Sequence, residues 1–359
     1  MPGHIVFWPY SLPLATEYRW AGGVQRERRG VLVRVSAWGA EGFGECAPPI
    51  QTPIDAEALA RDAARLVSGL PVEADDFLAR LDAARPEAEL RCGIATAWLS
   101  ARAAAAGQGL GTFLAGRPVA AEVPVNALVT DKTPEEAAAR AKSFVSEGFR
   151  TLKVKCWEDR ASNLARLTAI REAAPDVALR LDSNESWEPD WSLEHLRELA
   201  RFGLDYVEQP LPARCSLAEM AAYRKASPVR VALDESATDP ASISAILEAG
   251  AADVLILKPQ RLGGPDQAAL AIMRAAEHGV QVTVTVSLES AVGTAATAHV
   301  AAMLPAPLPD CGLSMGRFLA RDLAEGPAVR NAAMALPPGP GLGLVPSPVA
   351  LDALGLPMG

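Results

Sequence analysis

The chain has 359 residues, 50% hydrophobic and 21% charged. That composition excludes a disordered chain and, at ~150 residues per domain, suits two domains or one large barrel with an appendage. The balance of 34 basic against 43 acidic residues leaves a net charge of −9 with no basic run, which argues against nucleic acid and anionic membrane as partners.

Five scattered cysteines with no C-x-x-C pair read as reduced thiols of a cytoplasmic protein rather than a disulfide framework. The first 14 residues lack a basic stretch and are broken by Pro9 and Pro13, unlike a secretory signal. No run approaches the ~20 apolar residues of a membrane span.

Along the chain, 5–10 and 30–38 alternate apolar and polar residues between Gly and Pro, as antiparallel strands do. GFGECAP at 42–48 closes that small sheet, and 55–70, 74–84 and 87–106 carry apolar residues at helical spacing. This predicts an α+β domain over 1–120. From residue 123 short apolar runs alternate with helical stretches. The predicted strands are 123–129, 151–156, 178–183, 206–209, 230–234, 254–258, 282–287 and 309–313. Strands alternating with helices mean βαβ units and a parallel sheet, and eight of them favour a closed barrel over 121–324. No G-x-G-x-x-G follows the first strand, so the dinucleotide-binding alternative lacks its fingerprint. The Pro/Gly-rich but apolar tail, within 325–359, is expected to pack back on the first domain.

In such a barrel the reactive groups stand at the C-terminal ends of the strands. Those ends carry Lys153 and Lys155, then Asp182 with Asn184, then Glu208, then Asp234 with Glu235, then Lys258. From Lys155 onward the lysine and acid positions are 27, 26, 26 and 24 residues apart, one βα unit each. Lysine occurs only six times in the chain against 28 arginines, so three lysines on buried strands stand out. Arginine cannot release its proton near neutrality, whereas a desolvated lysine can.

Three converging carboxylates need a cation, and all-oxygen ligation suits Mg²⁺, with Mn²⁺ the alternative. A lysine beside it can abstract a proton α to a carboxylate. Taken singly, Asp182 reads as a helix cap and KVK as an edge strand. Five such positions in unit-by-unit register do not.

The motifs GFGECAPP, KVK, LDSNESW, FGLDYVEQPLP, ALDES, DVLILKPQRLGG and VSLESAVG together resemble the enolase superfamily in its muconate-lactonizing subgroup. Within that subgroup they are most like the o-succinylbenzoate synthases. The resemblance implies a modified TIM barrel, (β/α)7β, with an N-terminal α+β capping domain. It implies that Asp182, Glu208 and Asp234 bind the metal, that Lys155 is the base, and that Lys258 faces it. Lys153 and Glu235 would set the charge of Lys155, and Asn184 would hydrogen-bond beside the metal.

The activity implied is dehydration to o-succinylbenzoate in menaquinone synthesis, acting on a small carboxylate substrate. N-succinylamino acid racemisation, muconate-type cycloisomerisation and dipeptide epimerisation are the alternatives. The Asp-x-Asp usual in dipeptide epimerases is incomplete, with Asp310 alone. Ser287, Glu289 and Ser290 are candidate substrate contacts by resemblance, although a helix cap explains 289–290 equally well. Loops 12–24 and 48–53 are expected to close over the mouth. A closed homo-oligomer is common for such enzymes, and the sequence does not read it out.

Overall fold

The computed structural model describes residues 3–20 and 23–353. Residues 21–22 of the expected 12–24 loop and 354–359 of the expected tail lie outside the described residues.

The chain opens with an antiparallel sheet of β1 (His4–Trp20), β2 (Gly23–Ala37) and β3 (Ala40–Cys46), in that order. Both hairpin strands run far beyond the predicted 5–10 and 30–38. Most of the expected loop 12–24 is therefore paired strand, with Leu12 opposite Arg28 and Tyr18 opposite Gln25. Sequence punctuation misled here because Pro13 is accommodated at a register shift between Pro13 and Tyr18.

Helices α1 (Ala56–Val67), α2 (Phe77–Ala83), α3 (Ala88–Ala105) and the unpredicted α4 (Leu110–Ala115) follow. Asp55 caps α1, accepting from the N–H groups of Glu57 and Ala58. The GFGEC run is explained by α3: a Cβ at Gly44 would lie 2.1 Å from the Gly93 carbonyl, and one at Gly42 would lie 2.2 Å from that of Ala97. Only glycine lets strand and helix backbones approach so closely. Successive strand residues face opposite ways, so Glu45, between Gly44 and Cys46, points away from α3.

The predicted first barrel strand is split into β4 (Glu122–Pro124) and β5 (Ala127–Val129). Then come α5 (Pro134–Ser146), β6 (Thr151–Lys155), α6 (Arg160–Ala173), β7 (Ala178–Asp182), α7 (Pro189–Leu199), β8 (Leu204–Glu208) and α8 (Leu217–Ala226). The series continues with β9 (Arg230–Leu233), α9 (Pro240–Ala249), β10 (Val254–Leu257), a short α10 (Pro259–Leu262), α11 (Pro265–Glu277), β11 (Gln281–Val284) and α12 (Ala291–Ala301).

Strands β5 to β11 form one parallel sheet in chain order. The predicted eighth strand, 309–313, is reduced to two isolated bridges, Val125 with Cys311 and Thr285 with Gly312. Its hydrogen bonds still close the barrel: Cys311 N–H donates to the Pro124 carbonyl (2.8 Å) and Gly312 N–H to that of Val284 (3.0 Å). Pro309 offers no N–H to lengthen the ladder. Val123, Leu152, Leu179, Val207, Leu233 and Leu257 belong to one apolar core inside and around this sheet.

A last sheet joins β12 (Val329–Arg330), β13 (Ala333–Ala335) and β4, and α13 (Pro348–Ala353) ends the described chain. Leu342 and Leu351 bury themselves in the core of the N-terminal sheet and helices. Gly341 exchanges hydrogen bonds with Leu110 and Gln108. Among the described residues no helix is long and apolar enough to cross a membrane.

Candidate active site

Strand register alone levels the key groups, because Lys155 pairs with Asp182, and Asp182 with Glu208. Asp234 follows β9 directly and Lys258 follows β10 as the residue before α10. All five fall at the C-terminal end of the barrel, where adjacent parallel strands deliver neighbouring side chains into one mouth.

The three carboxylates are fully buried and the lysines flank them. Lys153 Nζ lies 2.8 Å from Asp182 Oδ2 and 2.7 Å from Glu208 Oε1. Lys155 Nζ lies 2.6 Å from the same Asp182 oxygen and donates also to Asn184 Oδ1. Lys258 Nζ lies 2.5 Å from Asp234 Oδ2. Asn184, in the left-handed region at φ 44°, donates to Glu235 Oε1 at 2.9 Å. With its side chain 25% exposed, Lys155 is the most open of the three lysines to the mouth.

Burial disfavours charge on all these groups, and their neighbours decide the outcome. Burial alone would raise the Asp182 carboxyl, but Lys153 and then Lys155 hold it well below the usual carboxylate range. For Asp234, Lys258 and Arg261 likewise outweigh burial and lower it. Glu208 goes the other way. Burial and the repulsion of Asp182 push it up to about 8, and its Oε2 has no hydrogen-bond partner. Burial works against the Lys153 ammonium, yet Asp182 and Glu208 hold it well above the ordinary lysine value.

Among the described residues no three Asp, Glu, His or Cys side chains are drawn together as a metal-holding group. The carboxylates lean instead on the ammonium groups. The donor set nevertheless fits a hard divalent cation: three carboxylates from consecutive strands, one with a buried oxygen left unpaired.

Two residues that sequence reasoning missed complete the site. Arg261 Nη1 donates to the Asp234 carbonyl (2.7 Å) and to its Oδ1 (3.0 Å). Its place one helical turn after Lys258 was the available signal. Buried Gln209 accepts from Asp234 N–H and Ser236 N–H and donates to Ser236 Oγ, tying the ends of β8 and β9 together. From the N-terminal sheet, Tyr18 comes close enough for the Lys155 charge to oppose the rise that burial gives its hydroxyl, and it accepts from Gln51 Nε2 at 2.8 Å.

Of the candidate substrate contacts, only Ser287 keeps an exposed face. The expectation for Glu289 and Ser290 is corrected. Both side chains are fully buried and committed: Glu289 accepts from Ser287 N–H and Thr297 Oγ, and Ser290 caps α12 and donates to Glu45.

Burial and the neighbouring Glu45 push the Glu289 carboxyl up to about 7, from an ordinary 4.5. The folded protein therefore keeps a proton there that the unfolded chain has released. The stability so gained is full below the unfolded value and is lost as pH rises through about 7. Glu289→Gln is expected to gain on the parent by up to about 3 kcal/mol between about pH 5 and pH 8, read from denaturant midpoints. Parallel curves for the two proteins would show that the carboxyl does not titrate there.

Residues 136–350 match the sequence family described as enolase C-terminal domain-like. The chain belongs to the enolase superfamily. It is an enzyme of that superfamily. The o-succinylbenzoate synthase of Thermobifida fusca is 41% identical over 217 residues, 58% of this chain and 65% of that protein. The match thus spans a little under two thirds of that relative's length. The o-succinylbenzoate synthase of Mycobacterium tuberculosis is 35% identical over 276 residues, 75% of this chain and 78% of that one. The muconate lactonizing enzyme of Pseudomonas fluorescens, solved with muconolactone, shares the fold with a TM-score of 0.88 at 24% identity, over 98% of both chains.

Proposed function

We propose that the protein is a Mg²⁺-dependent dehydratase that forms o-succinylbenzoate from its hydroxy-cyclohexadiene carboxylate precursor, a step of menaquinone synthesis. The observation that carries the reading is the placement of Lys155 and Lys258 on either side of three buried carboxylates. The relatives named for this activity support the choice of substrate.

Asp182, Glu208 and Asp234 would hold Mg²⁺, which supplies positive charge to the substrate carboxylate as negative charge develops on it. Lys155, in its neutral form, takes the proton α to that carboxylate. The C–O bond to the hydroxyl then breaks on the same face, and Lys155 returns its proton to the departing oxygen as water leaves. The electron pair of the broken C–H bond completes the aromatic ring. Lys258 remains an ammonium held by Asp234 and stabilises developing negative charge from the other side. Lys153, shared between Asp182 and Glu208, keeps its proton and ties those two acids together beneath the mouth.

The test is direct. Loss of diene absorbance is expected with Mg²⁺ and is expected to stop on adding a chelator. If folded, metal-supplied protein leaves the diene unchanged, the substrate is wrong. The pair of flanking lysines then favours the second reading, an N-succinylamino acid racemase, in which deuterium from solvent enters the substrate α carbon.

A further inference from the structure

The most heavily committed buried acid outside the barrel mouth is Glu45, the sixth residue of β3 and 1% exposed. Its carboxylate crosses from the N-terminal sheet to the start of α12, 245 residues away in the chain. Ser290 N–H donates to Oε1 (3.0 Å) and Oε2 (3.1 Å), Ser290 Oγ to Oε2 (2.5 Å), and Gly293 N–H to Oε2 (2.9 Å). The Tyr10 hydroxyl donates to Oε1 from within the sheet. With Asp322 accepting from Ala291 N–H and Ser290 Oγ from Val292 N–H, every N–H at the start of α12 is paired.

Two further observations tie this contact to the mouth. Leu288, between Ser287 and Glu289, is a buried residue held at φ 72°, a conformation that side chains other than glycine resist. Such strain persists only where the surroundings over-determine it. Here the Glu289 carboxylate closes the turn onto Ser287 N–H, and Glu45 fixes the helix start behind it. The backbone of the same sheet also grips the other side. Gln260, two residues past Lys258, donates to the Glu45 carbonyl (2.7 Å) and accepts from Ala47 N–H (3.1 Å). Gly293 keeps the space clear, since a Cβ there would lie 2.7 Å from Glu45 Oε2 and 2.7 Å from Glu289 Cβ.

We infer that Glu45 is a positioning residue for the reaction. The docking of the N-terminal sheet sets, through its carboxylate, the strained turn that presents Ser287 to the substrate. This rests on the reading of the barrel mouth as a carboxylate-substrate site.

The test compares Glu45→Gln and Gly293→Ala with the unmodified protein. A glutamine keeps the shape of Glu45 but replaces one acceptor by an N–H₂ group facing donors. The alanine displaces the carboxylate without changing any charge. In both variants the backbone amides of 287–293 are expected to exchange with deuterium about 10-fold faster or more, once the helix start opens locally. The kcat/KM for the diene is expected to fall about 10- to 100-fold in fully folded protein, with KM rising, as slight misplacement of a substrate contact does. The Mg²⁺ concentration dependence should not move, because none of these groups touches the metal-binding acids.

Unchanged exchange in 287–293 overturns the inference whatever the substrate. Faster exchange with unaltered KM and kcat overturns it as well, leaving Glu45 a stability residue only. If the unmodified protein itself does not consume the diene, the proposed function has failed instead. The same KM and kcat comparison is then read on deuterium entry into N-succinylamino acids, which needs the same turn. Should either variant not fold, Tyr10→Phe, which removes one donor to Glu45, gives the same pattern in smaller measure.

Discussion

Lys155→Ala is expected to lower kcat by about 10³-fold or more while leaving the fold and the Mg²⁺ requirement intact. The side chain removed is the lysine most open to the mouth, so no other group stands ready to take the α proton. Lys258 is bound to Asp234, and Lys153 is bridged between Asp182 and Glu208. Asp182 keeps its contact with Lys153, so the loss does not strand a buried carboxylate. Turnover of the variant and its unfolding midpoint with and without Mg²⁺ check both halves. Near-normal turnover would remove Lys155 from the role of base.

Glu208→Gln is expected to separate metal binding from folding. Glu208 is the middle acid of the three, completely buried, with one oxygen unpaired and with Asp182 and Asp234 repelling its charge. An arrangement so unfavourable by itself makes sense as one arm of a cation site. Mg²⁺ at a hundred times its dissociation constant should then stabilise the unmodified protein by about 2.7 kcal/mol, since it binds the folded form. In the variant the same stabilisation is expected only at Mg²⁺ concentrations about 10-fold higher or more, and turnover should fall with it. Calorimetric scans against Mg²⁺ concentration measure the shift. An identical shift in both proteins would take Glu208 out of the ligand set.

The contrast between what could and could not be read from the chain follows sequence distance. Lys155, Asp182, Glu208, Asp234 and Lys258 were legible because each closes one βα unit, and the parallel register then levels them without further information. Arg261 and Gln209 act one step behind those residues, and nothing in a local pattern marks a side chain that serves its neighbour.

The splitting of the first barrel strand depends on β13, some 200 residues later, which draws β4 into a different sheet. Glu289 and Ser290 looked like mouth residues by position. Ser290 turns instead to Glu45, in another part of the chain, and Glu289 to Ser287 N–H and to Thr297 on α12. The long hairpin arm was hidden by Pro13, whose missing N–H the register shift absorbs.

The C-terminal stretch has a consequence for how the molecule is made. The core of the N-terminal sheet and helices includes Leu323, Leu342 and Leu351, and Gly341 is bonded to Leu110 and Gln108. The barrel core, by contrast, is complete by Met334. As the chain leaves the ribosome, the N-terminal sheet and helices therefore wait for residues that emerge after the whole barrel. The usual order of synthesis, in which N-terminal units finish first, is reversed. The barrel core can form while the N-terminal sheet and helices are still short of two leucines, Leu342 and Leu351, and of the Gly341 bonds to Leu110 and Gln108.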